Sequence, residues 1–388
     1  MFNSNEIDAA IGLRHELHRH PELRYKEFRT AERVAGLLEQ KGYEVTRGVA
    51  GTGVVALLDT GRPGPVVALR ADMDALPILE VSSHDHVSHT AGVMHACGHD
   101  GHTAALMLAA DALMRRRDQL CGTIKLIFQP AEEGGNGAEK MIQEGVLENP
   151  AVDYIFGFHN RPGFETGEVF VKSGSAMGGN DTFELTLHGQ SGHAAMPHLA
   201  VDPIYLGGCI IQQLQGVVAR NKSPLHSGVI TVSTFHAGDA ANVIPASAQL
   251  TLNIRSDRDA SRQTLIQQMQ ATIEGLCSAA GATYTLTPIH QIPPLVNDAY
   301  WSQRVVEIAS QRGLGTRVRA IDEMPTMGAE DFAFYLQRIP GCFFFVGNGT
   351  ESAYLHNDRY DFNDDILEVA AGVHVAIVDE ILGLPSGQ

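Results

Sequence analysis

Cysteine, histidine and aspartate crowd into one stretch, Met94-His95-Ala96-Cys97-Gly98-His99-Asp100-Gly101-His102. Cys97 and His99 alternate across one residue, so in an extended segment or tight loop both point to one side. Gly98 and Gly101 allow the backbone to bend there. A thiolate and an imidazole on one short loop are metal donors. The competing reading is a helix N-terminus with polar caps, because an apolar helical pattern from Thr103 to Met114 follows at once.

Other polar clusters recur along the chain. Pro65–Arg70, nearly continuous in apolar residues, runs into Asp72 and Asp74. Thr123–Phe128 delivers Glu132 and Glu133, Val152–Phe158 delivers His159 and Asn160, and the loop 352–357 holds His356. Such apolar runs read as strands buried on both faces. Carboxylates just past their C-terminal ends sit where open α/β sheets bind ligands. Taken singly, Asp72 and Asp74 read as turn residues, and Glu132 and Glu133 as surface acids at a helix start. Taken together, Cys97, His99, Glu133, His159 and His356 are more donors than one tetrahedral site needs. A cysteinate or carboxylate can bridge two ions, and a pair about 3.5–4 Å apart is a common clamp for hydrolysis. Neighbouring glutamates diverge, so one can hold metal while the other faces the attacking water as general base. Gly134, Gly135 and Gly137 match no nucleotide fingerprint.

Helices and strands must position these groups. Ile7, Ile11, Leu13 and Leu17 recur at helical spacing until Pro21 interrupts, and a second helical run, Ala31 to Leu38, stops near Gly42. His15, His18, Arg19 and His20 form a basic cluster that reads as a solvated helix end. Gly53–Leu58 is a further buried strand. Near Gly178 and Gly179 the texture changes to strand 181–187, helix 203–220, strands 228–235 and 246–254, helix 261–280 and strand 283–288. That βαββαβ order is the ferredoxin-like arrangement. It predicts an α+β domain, 179–294, inserted into an α/β domain made of 1–178 and 295–388. The second part of that domain reads as helix 300–312, short helix 331–338, buried strand 341–346 and a closing amphipathic helix, 364–382.

A chain of 388 residues is long enough for two cores. Its formal net charge of -17 argues against nucleic-acid and anionic-membrane partners. Five cysteines at wide spacings are no disulfide framework. No basic-then-apolar leader opens the sequence and no apolar run approaches a membrane span, so the expected compartment is the cytoplasm.

Eight stretches, 17–23, 69–77, 94–102, 128–134, 157–160, 192–198, 242–245 and 328–332, cover almost the whole chain in one order. Together they resemble the M20 metallopeptidase superfamily. The closer resemblance is to its amidohydrolase branch, which contains hippurate hydrolases, N-acyl-amino-acid deacylases and plant auxin-conjugate hydrolases. The resemblance implies a mixed-sheet α/β catalytic domain of the zinc-exopeptidase type with the insertion as a ferredoxin-like lid or dimerisation domain. It implies five ligands, Cys97, His99, Glu133, His159 and His356, for two divalent ions, with Cys97 bridging. Zinc or manganese suit these donors, as do nickel and cobalt.

The resemblance further implies that Glu132 is the general base. In the wider superfamily the strand before the metal loop ends in His-x-Asp. Here it reads Asp72-x-Asp74, a departure typical of this branch, which shifts ligand duty to the Cys97/His99 loop. Asp74 would then orient a ligand histidine, while Asp72 has no assigned role. His193 resembles the lid histidine that stabilises the oxyanion, from its own or a partner subunit. Asn242 and Arg255 resemble groups that hold a substrate carboxylate, with a surface ion pair to Asp257 or Asp259 as the alternative for Arg255. His198 has no assigned chemistry. The implied reaction is metal-dependent cleavage of small N-acyl amino acids by a homodimer, with the lid closing about hinges near 178–180 and 292–295. A dipeptidase or aminopeptidase would need a group for the free substrate amine, and none is identified. A non-catalytic binding protein on the same fold would have lost the base or ligands, yet all are present.

Overall fold

The continuous apolar runs form the buried centre of an eight-stranded mixed sheet. The computed structural model describes residues 1–323 and 326–384. Its strands are β1 (Glu44–Val49), β2 (Gly53–Asp59), β3 (Val66–Asp72), β4 (Thr123–Gln129), β5 (Tyr154–Pro162), β6 (Glu168–Lys172), β7 (Gly179–His188), β8 (Gly228–His236), β9 (Ser247–Ser256), β10 (Thr283–Ile292), β11 (Arg317–Ile321) and β12 (Gly341–Gly349). The longer helices are α1 (Ser4–Arg19), α2 (Phe28–Lys41), α3 (His99–Arg115), α4 (Pro203–Arg220), α5 (Asp259–Ala280), α6 (Ala299–Gln311) and α7 (Leu367–Leu382).

Two compact units divide the chain. The first comprises Met1–Ala176, Asn297–Glu323 and the residues from Phe334 on. Its sheet runs β1-β2-β4-β3-β5-β12-β6-β11. β3 is parallel to β4 and to β5, and β12 is parallel to β5. The C-terminal ends of these four strands therefore lie along one edge, and that edge carries the polar clusters. α3 packs between β3 and the helices α1 and α7, which is why its sequence is apolar nearly all round. A capping box between Asn3 and Glu6 starts α1, and Gly42, in the left-handed region, stops α2.

The second unit comprises Met177–Val296, with residues 326–333 grouped beside it. Its sheet is antiparallel in the order β8-β9-β7-β10. α4 and α5 bury Leu206, Ile210, Leu214, Leu265, Met269 and Ile273 in a core with the inward residues of that sheet.

Several local expectations change. β1 and β11 are edge strands with exposed or half-buried side chains, so neither carries the apolar run by which buried strands are recognised. The helix expected over 331–338 is only Ala333–Leu336, and the closing helix begins as a 3-10 turn at Asp364–Ile366. The solvated helix end expected around His15–His20 fails at His18. That ring is fully buried, with Nδ1 2.8 Å from Asp100 Oδ2 and Nε2 3.3 Å from Glu80 Oε1. Among the described residues no helix is long and apolar enough to cross a membrane, and all five cysteines are free.

Candidate metal centre

Asp74, two residues beyond β3, organises the edge of the sheet. Its Oδ1 accepts the Glu132 backbone N–H at 3.0 Å and its Oδ2 the Glu133 N–H at 2.9 Å. The same Oδ1 lies 3.3 Å from His99 Nδ1. The turn after β4 is held from its other side as well. Glu27 accepts the Ala131 N–H at 3.0 Å, Arg24 donates to the Glu133 carbonyl at 2.7 Å and the Tyr25 hydroxyl donates to the Gly135 carbonyl at 2.6 Å. Ala131 (φ 57°) and Gly134 (φ 76°) are both left-handed. The backbone that carries the two adjacent carboxylates is thus irregular and is fixed by these contacts rather than by helix hydrogen bonds.

The donors converge in two overlapping sets. Cys97, His99 and His159 present ligand atoms that all lie within 4.8 Å of one another, and so do Cys97, Glu133 and His356. Cys97 Sγ is 3.4 Å from His159 Nε2, and His356 Nε2 is 3.1 Å from Glu133 Oε1. His356 reaches this position from a left-handed backbone (φ 65°) whose N–H donates to the Ala96 carbonyl at 2.7 Å.

The buried donor histidines, His159 and His99, are each anchored through Nδ1. His159 Nδ1–H donates to the Asn160 carbonyl at 2.7 Å, which leaves Nε2 facing Cys97. His99 is held at Nδ1 by Asp74, and its buried Nε2 makes no hydrogen bond among the described residues. A ligand histidine is held in this way through its other nitrogen, and the Nε2 of His99, with Asp72 Oδ2 3.7 Å away, keeps no hydrogen bond of its own among the described residues. The donor set therefore fits divalent metal.

His102 forms a frame behind the donors. Its Nδ1 is 2.6 Å from Asp72 Oδ1 and its Nε2 is 2.8 Å from Asn160 Oδ1. Asn160 Nδ2 in turn donates to the Tyr360 hydroxyl. Arg70 donates to Asp72 at 2.7 Å and to Gln129 at 2.8 Å. Asp72, which the sequence left without a role, is thus the anchor of His102. The available signal was the spacing of His99 and His102, one helical turn apart on α3.

Charge at the site is unbalanced toward the anion. Burial, reinforced by the Glu133 and Glu132 carboxylates, pushes the Cys97 thiol well up. Burial opposes a charge on His99, but Asp72 and Asp74 outweigh it and raise that imidazole to about 10. Burial likewise works against Glu133, whose carboxyl is nevertheless held low by its hydrogen bond to His356 and the charge of His99. His159 is kept neutral by burial and by His102.

Gly98 lets the donor loop pass. Its φ is +90°, and a Cβ there would stand 2.5 Å from Asn160 Oδ1 and 2.7 Å from the Tyr360 hydroxyl. Gly98→Ala should destabilise the protein by more than the roughly 1–2 kcal/mol that a left-handed L-residue costs. Thermal unfolding checks this, and an unchanged Tm would contradict the close approach.

The remaining sequence candidates lie in the second unit. His193 belongs to a two-residue ladder in which it pairs with Val243, next to Asn242, whose carbonyl accepts the Ala194 N–H at 3.1 Å. His193 Nδ1 accepts the Ala195 N–H at 3.1 Å. Arg255, on β9, donates to Asn253 Oδ1 at 3.1 Å, while Asp257 pairs with Arg258 and Asp259 with Arg262. His198 is exposed on the 3-10 turn Pro197–Leu199.

Similarity to known proteins extends along the whole chain. Residues 68–380 match the model of peptidase family M20/M25/M40. The N-acetylcysteine deacetylase of Bacillus subtilis is 38% identical, with 93% of each chain covered. The hippurate hydrolase of Campylobacter jejuni is 35% identical, with 94% of each covered. The crystal structure of the YXEP protein of Bacillus subtilis, described as a dinuclear metal binding peptidase from the M20 family, superimposes with a TM-score of 0.84 at 32% identity. That match covers 98% of this chain and 99% of the other. The family match over residues 68–380 and the full-length similarity to amidohydrolases lead to one conclusion: this chain belongs to peptidase family M20/M25/M40, in its amidohydrolase branch, and is a hydrolase of amide or peptide bonds.

Proposed function

We propose that the protein is a metal-dependent amidohydrolase that cleaves N-acyl amino acids into a carboxylic acid and a free amino acid. The observation that carries this reading is the membership of Cys97 in both donor sets. Cys97, His99 and His159 would hold one divalent cation and Cys97, Glu133 and His356 a second. When bound, such a pair supplies Lewis acidity for amide hydrolysis.

The chain's own groups do the rest. Asp74 fixes the His99 ring and both glutamate N–H groups, so Glu132 and Glu133 present their carboxylates separately. Glu132 removes a proton from the attacking water and returns it to the departing amine. Asp72 and Asn160 hold His102 behind the donors. In the inserted unit, which we assign as the lid and dimerisation domain, His193 stabilises the oxyanion, and Asn242 and Arg255 hold the substrate carboxylate. The family resemblance is the basis for assigning a homodimer, and a cytoplasmic location belongs to the same proposal.

Amine release from a panel of N-acyl amino acids, including hippurate and N-acetyl-methionine, tests the reading with metal-stripped and zinc- or manganese-refilled protein side by side. We expect release that disappears on stripping and returns on refilling. Turnover of free-amine dipeptides alone would replace this reading with a peptidase, the activity in the YXEP description.

A further inference from the structure

The segment between Leu76 and Met94 leads into the Cys97 loop and carries His84, His86 and His89, none of them used by the chemistry above. It lies against α1 and against the segment that follows His356. The His89 N–H donates to the Arg19 carbonyl at 2.8 Å, and the Val81 N–H donates to the Asp358 carbonyl at 2.9 Å. Between these contacts His18, Glu80 and His84 converge, with ligand atoms all within 4.8 Å of one another. None of the three belongs to the Cys97 donor sets.

We propose that His18, Glu80 and His84 form a further divalent-cation site, separate from the Cys97 centre, with a preference for zinc-like metals.

Two imidazoles and one carboxylate are a sufficient protein donor set for zinc, with water completing the sphere. Each donor is pre-oriented. Asp100 Oδ2 holds His18 at Nδ1, 2.8 Å away, so Nε2 faces Glu80 Oε1 at 3.3 Å. Glu80 Oε2 accepts the Ser88 N–H at 2.7 Å, which leaves Oε1 for the site. His84 Nε2 stands 3.0 Å from Glu80 Oε1, yet neither ring nitrogen of His84 makes a hydrogen bond among the described residues. The His84 ring is fixed instead by stacking on His86, with centroids 3.8 Å apart. The side chains of His18 and Glu80 are 0% and 2% exposed and that of His84 is 21% exposed. The site is therefore closed on the protein side, and His84 is the donor whose side chain reaches the surface.

His86 and Asp361 form the rim. Asp361 is occupied by Arg14 at 2.8 Å and His86 at 3.0 Å, so it is the weaker donor although it lies near His84. A cation here would cross-link α1 to the segment leading to Cys97, and through the Val81–Asp358 contact would brace the loop that bears His356.

Zinc is added to chelator-stripped full-length protein, and bound metal is counted after gel filtration for wild type, His84→Ala and Glu80→Gln. A parallel series uses cobalt. We expect each variant to hold one ion fewer than wild type, while the thiolate-to-cobalt charge-transfer band from Cys97 is equal in all three. Glu80→Gln keeps the size of the side chain and its bond to Ser88, so it covers the case in which His84→Ala does not fold. Equal ion counts in wild type and both variants would overturn the proposal. A missing charge-transfer band in wild type would count against the Cys97 centre alone, because the one-ion difference would persist.

Discussion

Glu132→Gln should lower kcat by about 100- to 10,000-fold, the range that a positioned general acid–base contributes, with bound metal unchanged. The glutamine keeps the shape of the side chain, and the backbone that aims it is set elsewhere. Asp74 accepts the residue-132 N–H at 3.0 Å, and Glu27 holds the preceding Ala131. What the amide lacks is a carboxylate that can take up a proton and give it back. Metal content and kcat measured on the same preparation separate the two roles of the glutamate pair. If metal is lost along with activity, Glu132 is a donor. If kcat is unchanged, the base lies elsewhere.

Cys97→Ala should remove activity by more than the roughly 10- to 100-fold that loss of an outer hydrogen-bond partner typically costs, and should abolish the thiolate-to-cobalt band. The size of the effect follows from sharing. His99 and His159 lie in one donor set, Glu133 and His356 in the other, and Cys97 in both. Loss of either outer donor weakens one set, whereas loss of Cys97 opens both at once. In the variant the buried carboxylates Asp72, Asp74 and Glu132 face fewer compensating cations, so the vacated centre should also lower the unfolding temperature. Full activity with a normal metal count in Cys97→Ala would remove the bridging role.

The strands that position the donors were legible because each is buried on both faces and so carries a nearly continuous apolar run. β3, with Val66 to Asp72 all buried, is the clearest case. Helix α4 was readable to its ends because Asp202 accepts from the Ile204 and Tyr205 N–H groups and Pro203 opens the first turn. β1 and β11 escaped detection because an exposed edge strand needs no such run. His18 was misread for a related reason. Helical periodicity shows which residues share a face, but not that the face meets a buried aspartate more than eighty positions away.

By itself the sequence determined the donor types, their order, and the strand ends that carry them, because chemistry and burial both restrict which residues are allowed. Tertiary structure alone decided how those donors are grouped. The convergence of Cys97 with both donor pairs, the anchoring of His102 by Asp72 and Asn160, and the meeting of His18 with Glu80 and His84 all join residues from separate elements. No local spacing encodes such contacts, since they arise only when the parallel strands align their C-terminal ends and α1 and α3 pack beside them.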